Sequence, residues 1–529
     1  MYAVMKSFGL NGLSGFAVAV EADISGGLPA FNIVGLPDSA VRESTDRVRA
    51  AARNLKFHWP EARITANLAP ADVRKTGPMY DLPLLLAVLA ASEQLKAKMD
   101  LTKVAFVGEL ALDGTLRRVA GALPMAMAAA EEGIEALYVP SENAAEAAEA
   151  SVDTGLTVYP AHTATEVVEA LRGTRRIAPA KARPFDASAG YRDAPDFADV
   201  KGQPLARRAM TIAAAGGHNV LLVGEPGTGK SMLAQRLPGI LPPLTRAEAV
   251  EVTQIYSVAD CLPEGSGLMT QRPFCSPHHS ASTAALAGGG NQIRPGLCSL
   301  AHAGTLFLDE FPEFSQSALE VLRQPMEDGV ITISRAAGSV TYPCRFQLVA
   351  AMNPCKCGYY GHPTRPCTCP PSAIARYRSR VSGPLLDRMD LCVEMEPITF
   401  EQLHGEGAPG NVDAADANKL TAGESSAVLR AQVLAARAVQ EKRYAAPGFE
   451  NVRCNAQLTA AQVRRVCRMT PAAEKLLRTS YETLNLSARA HDRILRVART
   501  IADLGGKNLL DEEVLLEALQ YRVQLNVTG

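Results

Sequence analysis

The stretch from Asn219 to Leu237 constrains this chain more than any other. Val220, Leu221, Leu222 and Val223 form an apolar run that suits a buried parallel strand. The chain then turns through Gly224-Glu225-Pro226-Gly227-Thr228-Gly229-Lys230-Ser231 and continues as Met232-Leu233-Ala234-Gln235-Arg236-Leu237, which has helical composition. The turn matches G-x-x-x-x-G-K-[ST], a phosphate-cradling loop. Its glycines let several backbone N–H groups converge on one anion, and the helix N-terminus adds partial positive charge. Lys230 is placed to reach the β/γ-phosphates and the Ser231 hydroxyl to bind Mg²⁺. The bland alternative is a glycine-rich strand–helix turn, and the full pattern in strand–loop–helix context argues against it. The expectation is an α/β P-loop core that binds ATP.

At 529 residues the chain is too long for one core, and roughly three to four domains are expected. A net charge of −1 gives no overall basicity, so nucleic acid would have to be met by local patches. Leu82 to Ala91 is apolar but too short to span a bilayer. Met1 to Lys6 lacks the charged-then-apolar layout of a signal peptide. A cytoplasmic protein with no membrane partner is expected, its eleven cysteines mostly reduced. Clustered cysteines are then better explained by metal than by disulfides.

Two further strands complete the nucleotide chemistry. Thr305-Leu306-Phe307-Leu308 runs into Asp309-Glu310, where Asp309 can hold the Mg²⁺ shell and Glu310 can polarise the attacking water. The run Phe346 to Met352 ends in Asn353. The ensemble resembles the AAA+ ATPases. That resemblance implies that Asn353 senses the γ-phosphate and that Val200 lies near the adenine. Leu385-Leu386-Asp387-Arg388 resembles the arginine-finger segment of the magnesium-chelatase and minichromosome-maintenance branches. Arg388 would then reach a neighbouring subunit's nucleotide, which requires a ring; an exposed structural arginine is the alternative. By the same resemblance Arg489, or failing it Arg493, supplies a second arginine sensor.

Val330 to Ser334 and Ser339 to Tyr342 alternate as a hairpin with Arg335 at its tip. Residues 272–294 form a long insertion with His278, His279 and the glycines 288–290, whose looseness points to a mobile loop. Related ring motors grip substrate with such elements, making Arg335, Arg272 and Arg294 candidate phosphate contacts. Cys355, Cys357, Cys367 and Cys369 supply four thiols in a Gly/Pro-rich loop, 353–371, enough for one tetrahedral site. Zinc is favoured over an iron–sulfur cluster, and four reduced cysteines remain the plain alternative. Basic residues around this loop suggest a zinc knob that helps contact nucleic acid.

Residues 1–172 mix strands and helices as an α+β domain. Gly77-Pro78-Met79 and Gly108-Glu109-Leu110 resemble the Lon-protease-like domain, with Met79 and Leu123 at the nucleophile and base positions. Neither can do acyl-enzyme chemistry. Residues 173–200 read as a linker, 201–400 as the ATPase core, 401–426 as a loose linker and 427–529 as a helical lid.

Over nearly its whole length the chain resembles the ComM/YifB family of magnesium-chelatase-like proteins. Ser-Pro-His-His, Asn-Pro-Cys with the paired C-x-C, and Ser-Gly-Pro-Leu-Leu-Asp-Arg carry that resemblance with the motifs above. It implies a ring-forming DNA helicase, hexameric by family expectation, that drives branch migration in recombination and natural transformation on single-stranded or branched DNA. A chelatase motor subunit and a remodelling chaperone are the rival classes.

Overall fold

A computed structural model of the chain describes all residues except 291–292, 336–337, 363, 398–423, 451 and 527–529, with Arg335 and residues 523–526 described by backbone alone. Most of the expected loose linker 401–426 therefore lies outside the described residues. Among the described residues, no helix is long and apolar enough to cross a membrane.

The N-terminal third is built on a seven-stranded mixed sheet. Its first strand, Tyr2–Asn11, pairs antiparallel with Ser14–Ser25 and parallel with Val104–Phe106. This strand lies inside the sheet, and its burial shows no clean alternation that the sequence could signal. Helix Ser39–Asn54 starts where Asp38 Oδ1 accepts from Val41 N at 2.9 Å, and it buries Val41, Ser44, Val48, Ala51 and Ala52 along one stripe. Helix Asp81–Ala91 is apolar all round and correspondingly buried. Its first residue, Asp81, is enclosed with Arg47 Nε 2.7 Å away and accepts from Leu110 N at 3.1 Å. Met79 and Leu123 both pack in this apolar core, as side chains without a nucleophile or base must.

The central unit holds a five-stranded parallel sheet, ordered Phe274–Cys275, Thr305–Leu308, Gln347–Met352, Val220–Gly224, Leu391–Met395. The phosphate-loop strand is thus internal, buried on both faces, as its unbroken apolar text requires. Part of the insertion that follows Cys275 packs closely against its own backbone, where the sequence suggested loose glycines. Gly288 (φ +98°) lies so close to Arg294 O and Gly296 that a Cβ there would sit 2.4 Å from the former. These glycines permit close backbone approach, the opposite of looseness. Tyr342 of the hairpin Val330–Arg335/Gly338–Pro343 donates to Ile293 O at 2.7 Å, tying insertion to hairpin.

The C-terminal helices Ser426–Tyr444, Ala460–Val466, Pro471–Thr483, Ala488–Leu504 and Glu512–Asn526 share one core with helix Pro204–Gly216 and the sheet. Thr470 caps the third of them from a position just before Pro471, a pairing that the sequence itself displays. Among the described residues, the N-terminal unit meets the centre along helix Arg246–Val258 and at the hairpin. Gly121 N donates to Ser257 O at 2.9 Å beside the buried Glu146–Ser257 hydrogen bond, and the turn at Gly12 rests on Val340 of the hairpin.

Candidate nucleotide site and cysteine centre

Parallel strands deliver their C-terminal ends to one edge, and three of them end in the expected chemistry. The register pairs Leu308 with Ala350 and Val223 with Met352, so Asp309, Asn353 and the loop after Gly224 emerge side by side. Gly227 and Gly229 adopt φ +86° and +91°, and the loop closes with Thr228 Oγ1 donating to Glu225 O at 2.9 Å. Lys230 Nζ donates to Gly224 O at 2.8 Å, Glu225 O at 2.7 Å and Asn353 Oδ1 at 3.1 Å. Burial pulls its pKa down, opposed by Asp309 and Glu225. Ser231 Oγ donates to Asp309 Oδ2 at 2.6 Å. A hydroxyl and a carboxylate oxygen so placed are a hard-oxygen pair that fits Mg²⁺. Gln203 Nε2 reaches Thr228 O at 3.4 Å, which brings the segment carrying buried Val200 up to the loop.

Glu310 stands at φ +51° directly after Asp309, and its carboxylate meets His279 Nδ1 at 2.9 Å. The rings of His278 and His279 lie 4.1 Å apart, tilted by 34°, and His279 is the one that meets Glu310. No sequence spacing signals this contact.

Arg388 lies at the other end of the sheet. Val220 pairs with Leu391 and Gly224 with Met395, so the residues before Leu391 emerge opposite the phosphate loop. Arg388 O accepts from Asn219 Nδ2 at 3.1 Å, fixing that position ahead of the loop strand. Its guanidinium donates to Pro384 O at 2.6 Å and pairs with Glu327, while Nε has no partner. Burial lowers its pKa, and the nearby cations Arg323, Arg493 and Arg489 lower it further. Arg489 is exposed, and Arg493 lies 3.5 Å from Asp390 Oδ1. Both sensor candidates therefore gather with Arg388 rather than with the phosphate loop of the same chain.

The nucleic-acid candidates separate. Arg272 is consumed internally: it donates to Pro242 O, Ala303 O and Pro243 O and pairs with Glu248 at 3.0 Å. That corrects its assignment as a phosphate contact, because a guanidinium with its donors so engaged cannot also be offered to solvent. Arg294 is exposed beside the hairpin. The side chain of Arg335 lies outside the described residues.

Cys355, Cys357, Cys367 and Cys369 bring their Sγ atoms within 4.8 Å of one another. The separations 3.3, 3.5 and 3.6 Å are too long for a disulfide. Four sulfurs about 2.3 Å from a common tetrahedral centre are about 3.8 Å apart, so the cluster fits zinc. The N–H groups of Tyr359 and Thr368 hold the Cys357 thiol down at about 5. The Cys369 N–H pulls Cys367 the same way, yet burial and the neighbouring thiols push it up to about 12.

Three family models match in succession: "Subunit ChlI of Mg-chelatase" over residues 20–143, "Magnesium chelatase, subunit ChlI" over 196–403 and "Magnesium chelatase, subunit ChlI C-terminal" over 423–522. The competence protein ComM of Haemophilus influenzae is 42% identical over 528 residues, 99% of this chain and 98% of that protein. An uncharacterised protein YifB of Escherichia coli is 42% identical over 512 residues, covering 97% and 95%. By contrast the magnesium-chelatase 38 kDa subunit of Cereibacter sphaeroides is 28% identical over 176 residues, 30% of this chain and 52% of that one. The chain belongs to the ComM/YifB family of magnesium-chelatase-like proteins.

Proposed function

We propose that this protein is a subunit of a ring-forming, ATP-driven DNA motor that promotes branch migration in recombination and natural transformation. The observation that carries the reading is the division of the site between two edges of one sheet. Lys230, Ser231, Asp309, Glu310 and Asn353 converge at one edge, while Arg388 sits at the other. A finger on the far edge is useful only to a neighbour, which supports a ring; six subunits are the family expectation. Lys230 and the loop amides hold the phosphates, Ser231 and Asp309 would hold Mg²⁺, and Glu310 orients the attacking water. Mg²⁺ would supply charge neutralisation between the phosphates. The neighbour's Arg388, with Arg489 and Arg493 beside it, stabilises charge in the transition state.

DNA is assigned to the hairpin and its surroundings, with Arg335 and exposed Arg294 as contacts. Zinc is assigned to the four cysteines, and the lid role to the C-terminal helices. The Haemophilus relative, named a competence protein, agrees with DNA as the substrate. The chelatase alternative is weaker, since the two chelatase subunits compared are 29% and 28% identical over 31% and 30% of the chain, against 42% over 99% for the Haemophilus protein. The test is ATPase activity with and without single-stranded or three-stranded junction DNA, together with unwinding of that junction. Stimulation and unwinding are expected. No stimulation by any DNA and no DNA binding at low salt would overturn the reading.

A further inference from the structure

The cysteine loop returns to the nucleotide site after leaving it. It begins directly behind Asn353, whose side chain meets Lys230 at 3.1 Å. It then reaches the phosphate loop at two more points. Gly358 (φ +89°) lies against Pro226, where a Cβ would come within 2.6 Å of Pro226 Cδ. His362 Nε2 is 3.2 Å from Glu225 Oε2, with each side chain only 14% exposed. The histidine is oriented before it gets there. Its Nδ1 accepts from Thr364 N at 3.0 Å and Arg365 N at 2.8 Å, which leaves Nε2 to carry the proton toward Glu225. Tyr359 closes edge-on against the His362 ring, and Arg365 lies 4.3 Å over Tyr359.

Gly358 and His362 both belong to the segment between Cys357 and Cys367, which is rich in Gly and Pro and has no helix or strand of its own among its described residues. Its two ends meet at the sulfur cluster, and Arg378 braces its middle from 4.9 Å over the Tyr360 ring. We propose that metal bound by the four cysteines closes this segment and so holds the phosphate loop through His362–Glu225 and Gly358–Pro226, making metal and nucleotide binding reciprocal. His362 is a positioning residue: it touches Glu225, not the phosphates. This inference rests on the zinc and ATP assignments above. Because coupling between two sites is reciprocal, zinc must strengthen nucleotide binding by the factor by which nucleotide strengthens zinc binding.

The experiment uses the full chain with zinc alone and a fluorescent, non-hydrolysable ATP analogue. Analogue affinity is measured on zinc-loaded and zinc-stripped protein, and zinc affinity by competition with a chromogenic chelator, with and without analogue. Circular dichroism establishes that the stripped protein stays folded. A shift of about 5- to 150-fold, equal in both directions, is expected. His362→Ala should keep its zinc and lose most of the coupling, and His362→Gln, which retains a donor, should recover part of it. Equal analogue affinity with and without zinc, or full coupling in His362→Ala, overturns the inference and leaves the zinc and ATP assignments standing. A chain that binds the analogue but takes up no zinc overturns the zinc assignment and this inference together.

Discussion

His279 Nδ1 lies 2.9 Å from Glu310 Oε2, so the residue proposed to polarise water is held by a side chain of the insertion that follows strand Phe274–Cys275. The pair is partly exposed, 35% and 57%, and such pairs contribute about 0.2–1 kcal/mol. His279→Ala is therefore expected to raise DNA-free ATPase turnover by at most about five-fold, not by orders of magnitude. A lower rate in steady-state assays would mean that His279 assists Glu310 instead of restraining it.

Lys230 and Glu310 should separate binding from chemistry. Lys230 makes three hydrogen bonds that knit the loop to Asn353. Lys230→Ala should weaken ATP binding itself. Glu310→Gln keeps the loop intact and should bind ATP and DNA while losing turnover by about 10²–10⁴-fold, the usual worth of a positioned base. Equilibrium binding beside single-turnover hydrolysis reads the two apart.

Asp390 ties the sheet to the C-terminal helices. Its Oδ2 accepts from Asn219 N at 3.1 Å, and its Oδ1 lies 3.5 Å from Arg493. Burial alone would raise its pKa, but His218 and Arg493 outweigh it and hold the group at about 2. The folded value is below the unfolded one, so the stabilisation is present above about pH 4 and is lost as pH falls toward 2. It amounts to on the order of 2 kcal/mol. Asp390→Asn should unfold at lower denaturant than wild type at pH 7, and the gap should narrow on acidification through that window.

Local chemistry was legible in the sequence, and long-range contact was not. Gly224 to Ser231, Asp309 and Asn353 could be read because each sits at the C-terminal end of an apolar strand, and parallel pairing gathers such ends without further instruction. The C-terminal helices were legible from caps such as Thr470-Pro471. What failed were inferences about where a side chain spends its donors. Arg272 looked like a free cation beside glycines, yet it is neutralised by Glu248 and three carbonyls from distant segments. Gly288 looked loose because composition cannot distinguish freedom from close approach. His362 carried no signal at all, since its partner Glu225 lies far away in the chain.

The central claim is that one subunit's Arg388 completes the site of the next, and subunit mixing tests it most directly. Lys230→Ala and Arg388→Ala proteins should each be nearly inactive as ATPases; losing an arginine finger costs about 10³–10⁵-fold. Mixed in equal amounts and allowed to assemble, they should regain activity, because some interfaces then pair an intact loop with an intact arginine. No recovery on mixing, or wild-type turnover by Arg388→Ala alone, would contradict the account.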